Sequence, residues 1–446
     1  MKKWIAGILS ALLAVLMAFS FIGCGGGNEA EEELDEEGNT IIDMMVHVAQ
    51  QSAEGMAYSR ITDSFNSSDT AKENKIKIRV DYSPRSTSAT GYETELGNML
   101  NNGTLPDIIT FDAPNTWNYA ENGILADITG LIAEETQSDF FEISKNTYNG
   151  KLYGLPIQES SAGIYYNKAI FRSAGLLGEV EHMTVDDAWT MTKFENICSL
   201  LKGKCDLPVD LQLYNANDEM ATYLLYPFIL AGGGTFLSSD GMTATGYFDS
   251  AATVAAFDRL RGWVNNGYTS FDASNVGFYT GKIAMYLSSG WSIPEIRNQY
   301  TQQLGEDWGI LPYPKGDGDT GIAASATGSW SFGMTTQCST PEKAAIVLEW
   351  LVSTDSSVAI TDATGMIPAR RSAVEKKGYT PGSPEYALYD QLNKTGKTRP
   401  GTIAYPEFSS RFRAVVNQIR EGTQTTASIV SGQASQFQTY LDRYGR

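Results

Sequence analysis

Hydrophobic positions along the chain fall into two alternating rhythms, and each rhythm predicts a different element. Residues 40–48 are apolar-rich, with Ile41, Ile42 and Val46, and read as a buried strand. The polar loop 49–55 follows, and then a helix through Phe65. Residues 75–82 (KIKIRVDY) alternate charged with β-branched side chains, the two-residue period of a half-buried strand. Residues 92–101 read as helix, and 106–112 (PDIITFD) as a short buried strand that ends in a carboxylate. Turn punctuation at 150–156 (GKLYGLP) leads into an extended segment, and 163–167 (GIYYN) reads as another strand. Helical spacing recurs over 185–202, 220–230, 251–265, 341–353 and 408–421. Two of these helices carry start signals: Thr184 stands three residues before Asp187, and Thr340-Pro341-Glu342 orders a cap, a first-turn proline and an early acid. Strand and helix alternate, which predicts an α/β fold with parallel sheets, helices on both faces and a ligand beyond the carboxyl ends of the strands. No repeat of fixed period is visible.

The N-terminus changes the picture from a free domain to an exported one. Lys2 and Lys3 precede an apolar run over 4–22 without an acid, which reads as an export signal spanning 1–23. The run could also suit a membrane anchor, but it stops at Gly23-Cys24 and enters three glycines rather than a basic flank. Cleavage before a lipidated Cys24 fits better: Gly23 and the apolar Phe21 and Ile22 resemble a bacterial lipobox, with Phe21 in place of leucine and Ile22 in place of a small residue. Residues 24–39 then form an acidic tether, where Glu29, Glu31, Glu32, Glu33, Asp35, Glu36 and Glu37 crowd together and disorder is expected.

Charge and cysteine usage exclude several classes. Loss of the leader removes Lys2 and Lys3 and deepens the net charge from −19 to −21. No basic stripe follows, so nucleic acid is not an expected partner. Beyond Cys24 only Cys198, Cys205 and Cys338 remain, too few for a disulfide-built fold. Cys198 and Cys205 are close enough in sequence for a local bridge across the 202–204 turn, and are otherwise free thiols. His47 and His182 are isolated, so neither a metal nor a cofactor is expected. The stretch 316–321 (GDGDTG) formally fits a dinucleotide fingerprint and its aspartates suggest a calcium loop. It follows Pro312 and Pro314 rather than a strand, and Gly328 stands where the bidentate acid would be needed, so it reads as a turn. The sequence has no G-x-S-x-G elbow and no GK[ST] phosphate loop.

Taken in order, the motifs resemble the family 1 extracellular solute-binding proteins, the group that includes maltose-binding components of ATP-driven importers. The resemblance spans nearly the whole mature chain: LPDIITFD (105–112), YAENGILADIT (119–129), NGKLYGLPIQESSAGIYYNKAIFRSAGL (149–176), YPFILAGGG (226–234), FYTGKIAMYLSSGWS (278–292), GILPYPKG (309–316) and GMIPARRSAV (365–374). It implies a two-lobe fold with hinge closure on a ligand. Lobe 1 is expected from 40–157 plus 275–325 and lobe 2 from 158–274 plus 326–446, with crossings near 155–160, 269–275 and 323–328. It also implies an extracytoplasmic, lipid-anchored receptor, expected to be a monomer, that hands a carbohydrate to the permease subunits of an ABC transporter.

Sugars present hydroxyls to acids and amides and C–H faces to aromatic rings. On matched positions the resemblance points to Trp291 and Trp330 as stacking rings and to Asp112 and Asn115 after a strand. Glu159 and Ser161 are expected to face the cleft together with Ser160 turned away. Tyr223 and Tyr226 on a helix and Gly233 in the Gly-rich turn complete the set, with the polar Gln50-Gln51 loop as a further guess. Two other classes stay open: a secreted glycosidase, which needs only a suitable pair of the 52 acids, and a surface scaffold without an enclosed cleft. A non-sugar solute also remains possible, although no Arg cluster marks an anion site.

Overall fold

The computed structural model describes residues 32–85, 91–318 and 321–444. Cys24, and with it the leader and the first half of the tether, lies outside the described residues. The described end of the acidic stretch departs from the expected disorder. Asp35 accepts from the backbone N–H of Glu37 and Asn39, which turns the chain back so that Leu34 bridges Thr40, while Glu33 pairs with Arg79. Local turn bonds and three neighbouring cations, Lys77 on Asp35, Arg79 on Glu33 and Lys343 on Glu32, offset the repulsion that composition alone suggests.

Two sheets organise the molecule. In the first, β1 (Thr40–Val46) runs parallel to β2 (Ile76–Tyr82) and to β3 (Ile108–Asp112). Beside β3, β11 (Trp330–Met334) runs antiparallel, followed by β5 (Lys151–Pro156) and β4 (Asn146–Tyr148), in the order β2-β1-β3-β11-β5-β4. The second sheet orders β7 (Leu207–Asp210), β8 (Ile283–Ser289), β6 (Ala162–Asn167) and β9 (Trp308–Leu311). A two-strand patch pairs β10 (Ser325–Ala326) with β12 (Gly396–Lys397). Both large sheets are mixed rather than purely parallel, because strands that return from the other lobe enter in the opposite direction.

The sheets correct the expected lobe boundaries. Strands β8 and β9 pair with β6, so 283–311 belongs with the second sheet and not with the first. Conversely, β11 and the helix Pro341–Leu351 build the first lobe, where Val347, Leu348 and Leu351 pack with Ile42, Phe65 and Phe332. Residues 269–275 are not a crossing. They link the helix Ala251–Asn265 to the helix Asn275–Tyr279, which leads into β8 of the same lobe. The C-terminal helices Tyr405–Glu421 and Thr426–Leu441 close the second-lobe core, with Phe408, Phe412 and Phe437 against Tyr226 and Phe236. One expected helix also starts later: Thr184 bonds Asp187 within a turn, and the helix itself runs Met191–Leu201 with the Thr190 hydroxyl capping Lys193. Cys198, Cys205 and Cys338 are free thiols.

Three segments join the lobes: 157–161, 327–329 and 365–370. Their meeting point is Glu159, whose backbone exchanges hydrogen bonds with Ile367 (2.6 and 3.1 Å). Its carboxylate accepts from the N–H of Gly328 (2.7 Å) and of Ser160 (2.8 Å) and from the Ser144 hydroxyl (2.6 Å). Gly328 holds φ +97°, a conformation that L side chains rarely adopt, and a Cβ there would press on Arg399 Nη2 at 3.4 Å.

Candidate functional site

Between the lobes lies a cavity of about 570 Å³, within the range of small-molecule sites. The first lobe contributes His47 and Trp330, both at strand ends, together with Glu54 from the start of the helix Ala53–Ser67. The second contributes Glu219 and Tyr223 from the helix Glu219–Ala231, and Trp291 at the head of the helix Ser292–Gln299. Ser160 and Met366 come from the crossings.

One wall of the cavity is an ion cluster that joins the lobes. Arg399, 6% exposed, donates Nη1 and Nη2 to the two oxygens of Asp112 on β3 at 3.0 and 2.9 Å. It also donates to Glu219 (2.7 Å) and to the Gly328 carbonyl (3.1 Å). The guanidinium carbon lies 5.4 Å from the Tyr223 ring centre and 5.8 Å from that of Tyr405. Such a bidentate pair is geometrically specific, and desolvation offsets much of its attraction. Burial works against the charge on Arg399, but Asp112, Tyr405 and Glu219 hold the guanidinium firmly protonated. Burial also raises the Asp112 carboxyl, against the pull of Arg399. The Tyr405 and Ser409 hydroxyls both donate to Glu219, and among the described residues Arg399 Nε has no partner.

Aromatic rings line the cavity beside this cluster, and Trp330 is the cross-strand neighbour of Asp112. The His47 and Trp330 rings stack with centroids 3.3 Å apart and planes 2° from parallel, and Arg85 sits 5.2 Å from the Trp330 ring. Burial, and then Arg85, push the His47 pKa well below its usual value, so the ring is neutral. Glu54 is raised by burial in spite of the bond it accepts from the Tyr58 hydroxyl. Trp291 tilts against Tyr223 at 6.1 Å.

The residues expected from sequence separate clearly. Asp112, Tyr223, Trp291 and Trp330 come together on the cavity. One face of Trp330 is covered by His47, and both oxygens of Asp112 are engaged by Arg399. Asn115 lies beyond Asp112, on a neighbouring cavity of about 700 Å³. The expected orientation along 159–161 is reversed. Ser160 lines the cavity, whereas Glu159 turns to the other crossings and Ser161 accepts from Gln391. Tyr226 is core, packed on Phe236 at 5.3 Å and Phe408 at 6.3 Å, and Gly233 (φ +83°) forms the exposed turn after its helix. Gln50 and Gln51 are exposed, and Ala53 and Glu54 line the cavity in their place. Asp317 of the GDGDTG turn accepts from Thr192 N–H and Arg259, and no described group of three or more His, Cys, Asp or Glu is placed for a metal.

Sequence reasoning missed His47, Glu54, Arg85, Glu219 and Arg399. His47 had a signal, since it directly follows the carboxyl end of a strand. Arg399 had none, because its partners lie 287 and 180 residues away.

The family model for bacterial extracellular solute-binding proteins matches residues 61–387, most of the chain. The chain belongs to this family. Its members are extracytoplasmic binding proteins. Among relatives, the galactooligosaccharide-binding protein of Bacillus subtilis (strain 168) is 24% identical over 310 residues, 68% of each chain. Among solved structures, the cyclic alpha-maltosyl-1,6-maltose binding protein from Arthrobacter globiformis superimposes with a TM-score of 0.73 at 20% identity, over 91% of this chain and 100% of that one. UgpB from Mycobacterium tuberculosis, in complex with glycerophosphocholine, superimposes with a TM-score of 0.74 at 19% identity, over 92% and 100%. The two-lobe fold is therefore shared, and it serves more than one ligand chemistry.

Proposed function

We propose that the chain is the receptor of an ABC importer, captures a carbohydrate between its lobes and delivers it to the permease. The observation that carries this reading is the interlobe cavity, where Trp291 and Tyr223 offer ring surface beside Glu54, Ser160 and Glu295 as hydroxyl partners. Rings for C–H faces next to acceptors for hydroxyls match the two surfaces of a sugar. The relatives named for galactooligosaccharide and cyclic maltosyl-maltose binding support the same class. Binding without turnover fits a site whose Asp112 and Glu219 carboxylates are tied up by Arg399 rather than free to flank a bond. The Gly23-Cys24 junction supports anchoring by a lipid on Cys24 to the outer face of the cell membrane.

A thermal-shift screen of the soluble chain against mono- and oligosaccharides, with glycerophosphocholine as the non-sugar arm, tests the ligand class. We expect saturable stabilisation by a sugar, and no new reducing ends on prolonged incubation. Stabilisation by glycerophosphocholine alone contradicts the sugar assignment, and accumulating reducing ends contradict the non-catalytic one. Anchoring is tested by labelled fatty acid, which should enter the parent protein and not Cys24→Ser.

A further inference from the structure

Charge in the interlobe cavity is out of balance. Both arginines on its lining are committed to protein acids: Arg399 to Asp112 and Glu219, and Arg85 through Nε to Glu93 (2.8 Å), which stands outside the cavity. Asp218 lies in the field of Arg85 and caps its helix through the Met220 N–H (3.0 Å). Two lining carboxylates remain, Glu54 from the first lobe and Glu295 from the second. Each accepts one phenolic hydroxyl, from Tyr58 (2.6 Å) and from Tyr279 (2.7 Å), and neither has a lysine or arginine partner among the described residues. The imidazole 4.0 Å from Glu54 is that of His47, which is neutral. A carboxylate offers about four acceptor positions, so both acids keep capacity for an occupant.

The rings divide in the same way. Trp330 and Tyr223 each carry a guanidinium, Arg85 at 5.2 Å and Arg399 at 5.4 Å, whereas no cation lies on the half-buried Trp291 ring among the described residues. Trp291 heads the helix Ser292–Gln299 and Glu295 follows one turn later, so ring and carboxylate share one helix face. Glu54 lies in the first turn of the helix Ala53–Ser67, across the cleft. A helix N-terminus accounts for an acid in a first turn, but not for two such acids on one cavity from opposite lobes beside a ring without a cation. Burial raises the Glu54 carboxyl, the response of an acid that lacks a countercharge.

Resting on the sugar reading above, we propose that the ligand carries an ammonium group, as an amino sugar does, set on the Trp291 ring and shared by Glu54 and Glu295. An aromatic face and carboxylates in a desolvated cleft are the surfaces a cation prefers, and neither repels the neutral hydroxyls of the same sugar. Because one acid comes from each lobe, the cation draws the lobes together. An anionic substituent meets the same two acids and only committed arginines, so uronic acids are refused.

The test is calorimetric titration of the full mature chain at neutral pH with glucosamine, galactosamine and the β-linked glucosamine disaccharide, each beside its N-acetylated form and its parent sugar. Choline serves as an ammonium without a sugar. At least one amino sugar should bind about ten-fold tighter than both of its neutral counterparts. Glu54→Gln and Glu295→Gln, which retain an acceptor for Tyr58 and Tyr279, should each cut that preference about five-fold, with the affinity of the parent sugar and the melting temperature of the empty protein little changed. Equal affinity for amino and neutral forms, or no binding of any amine, overturns the ammonium assignment on the parent protein alone, and so does a preference that survives both substitutions. Neutral sugars that bind without preference leave the sugar reading intact, whereas choline binding in the absence of any sugar overturns the sugar reading and leaves the ammonium site standing.

Discussion

At the scale of single residues, this protein carries buried charge where its lobes meet and also where its strands end. Asp210 closes β7, is fully buried, accepts one hydrogen bond from Gln212 N–H and leaves its second oxygen without a described partner. Burial pushes its pKa up to about 6 from 3.8. Because the folded value lies above the unfolded one, the native state binds the extra proton between these limits, and stability falls as pH rises through that window. The loss is on the order of 2–3 kcal/mol by pH 7. Asp210→Asn should therefore flatten the pH dependence of the melting temperature between about pH 4 and 6.5 and leave the variant the more stable at pH 7. A parental slope in the variant would show that another group governs this range. Aromatic residues that line the cavity were legible one by one, since Trp291 sits in the FYTGKIAMYLSSGWS motif and Tyr223 on the helix that leads into YPFILAGGG. Charged ones were not: Arg399 acquires its meaning from Asp112 and Glu219, and no local pattern encodes partners so distant.

At the scale of elements, periodicity located most strands and helices, because a two- or 3.6-residue hydrophobic rhythm is a local property. What it could not supply was strand order. Whether β8 joins the first or the second sheet depends on pairing with β6 over more than a hundred residues, and a short apolar run carries no address. The 157–161 segment shows the same limit at finer grain. Alternation correctly separates Ser160 from its neighbours but cannot say which side faces the cleft, and Glu159 turns inward to tie the three crossings. Glu159→Ala would leave the Gly328 and Ser160 N–H groups and the Ser144 hydroxyl without their acceptor, at a cost of about 2–3 kcal/mol. We expect this loss in urea denaturation, accompanied by weaker sugar binding, since the loosened hinge dilutes the binding-competent form. Parental affinity in a destabilised variant would confine Glu159 to folding alone.

At the scale of the whole molecule, an α/β class and a two-lobe plan could be read from alternating elements and from ordered motifs, whereas the lobe boundaries could not. A cleft formed by both lobes ties ligand capture to closure, because a ligand that touches both sides favours only the state that brings them together. Small-angle scattering should show a smaller radius of gyration at saturating sugar, and an unchanged radius would argue for a cleft that is already shut. The central claim, that a sugar is held in this cleft against Trp291, is tested most directly by titration calorimetry of the parent and of Trp291→Ala with the sugar that stabilises the protein most. The ring lines the cavity and also packs partly on the second-lobe core, so both roles must be read together. The account predicts one sugar per chain and a loss of about 2 kcal/mol, roughly thirty-fold in affinity, with a modest change in the melting temperature of the empty protein. Near-parental affinity in a variant whose empty form is destabilised by about 3–5 kcal/mol would make Trp291 a core residue and contradict the account.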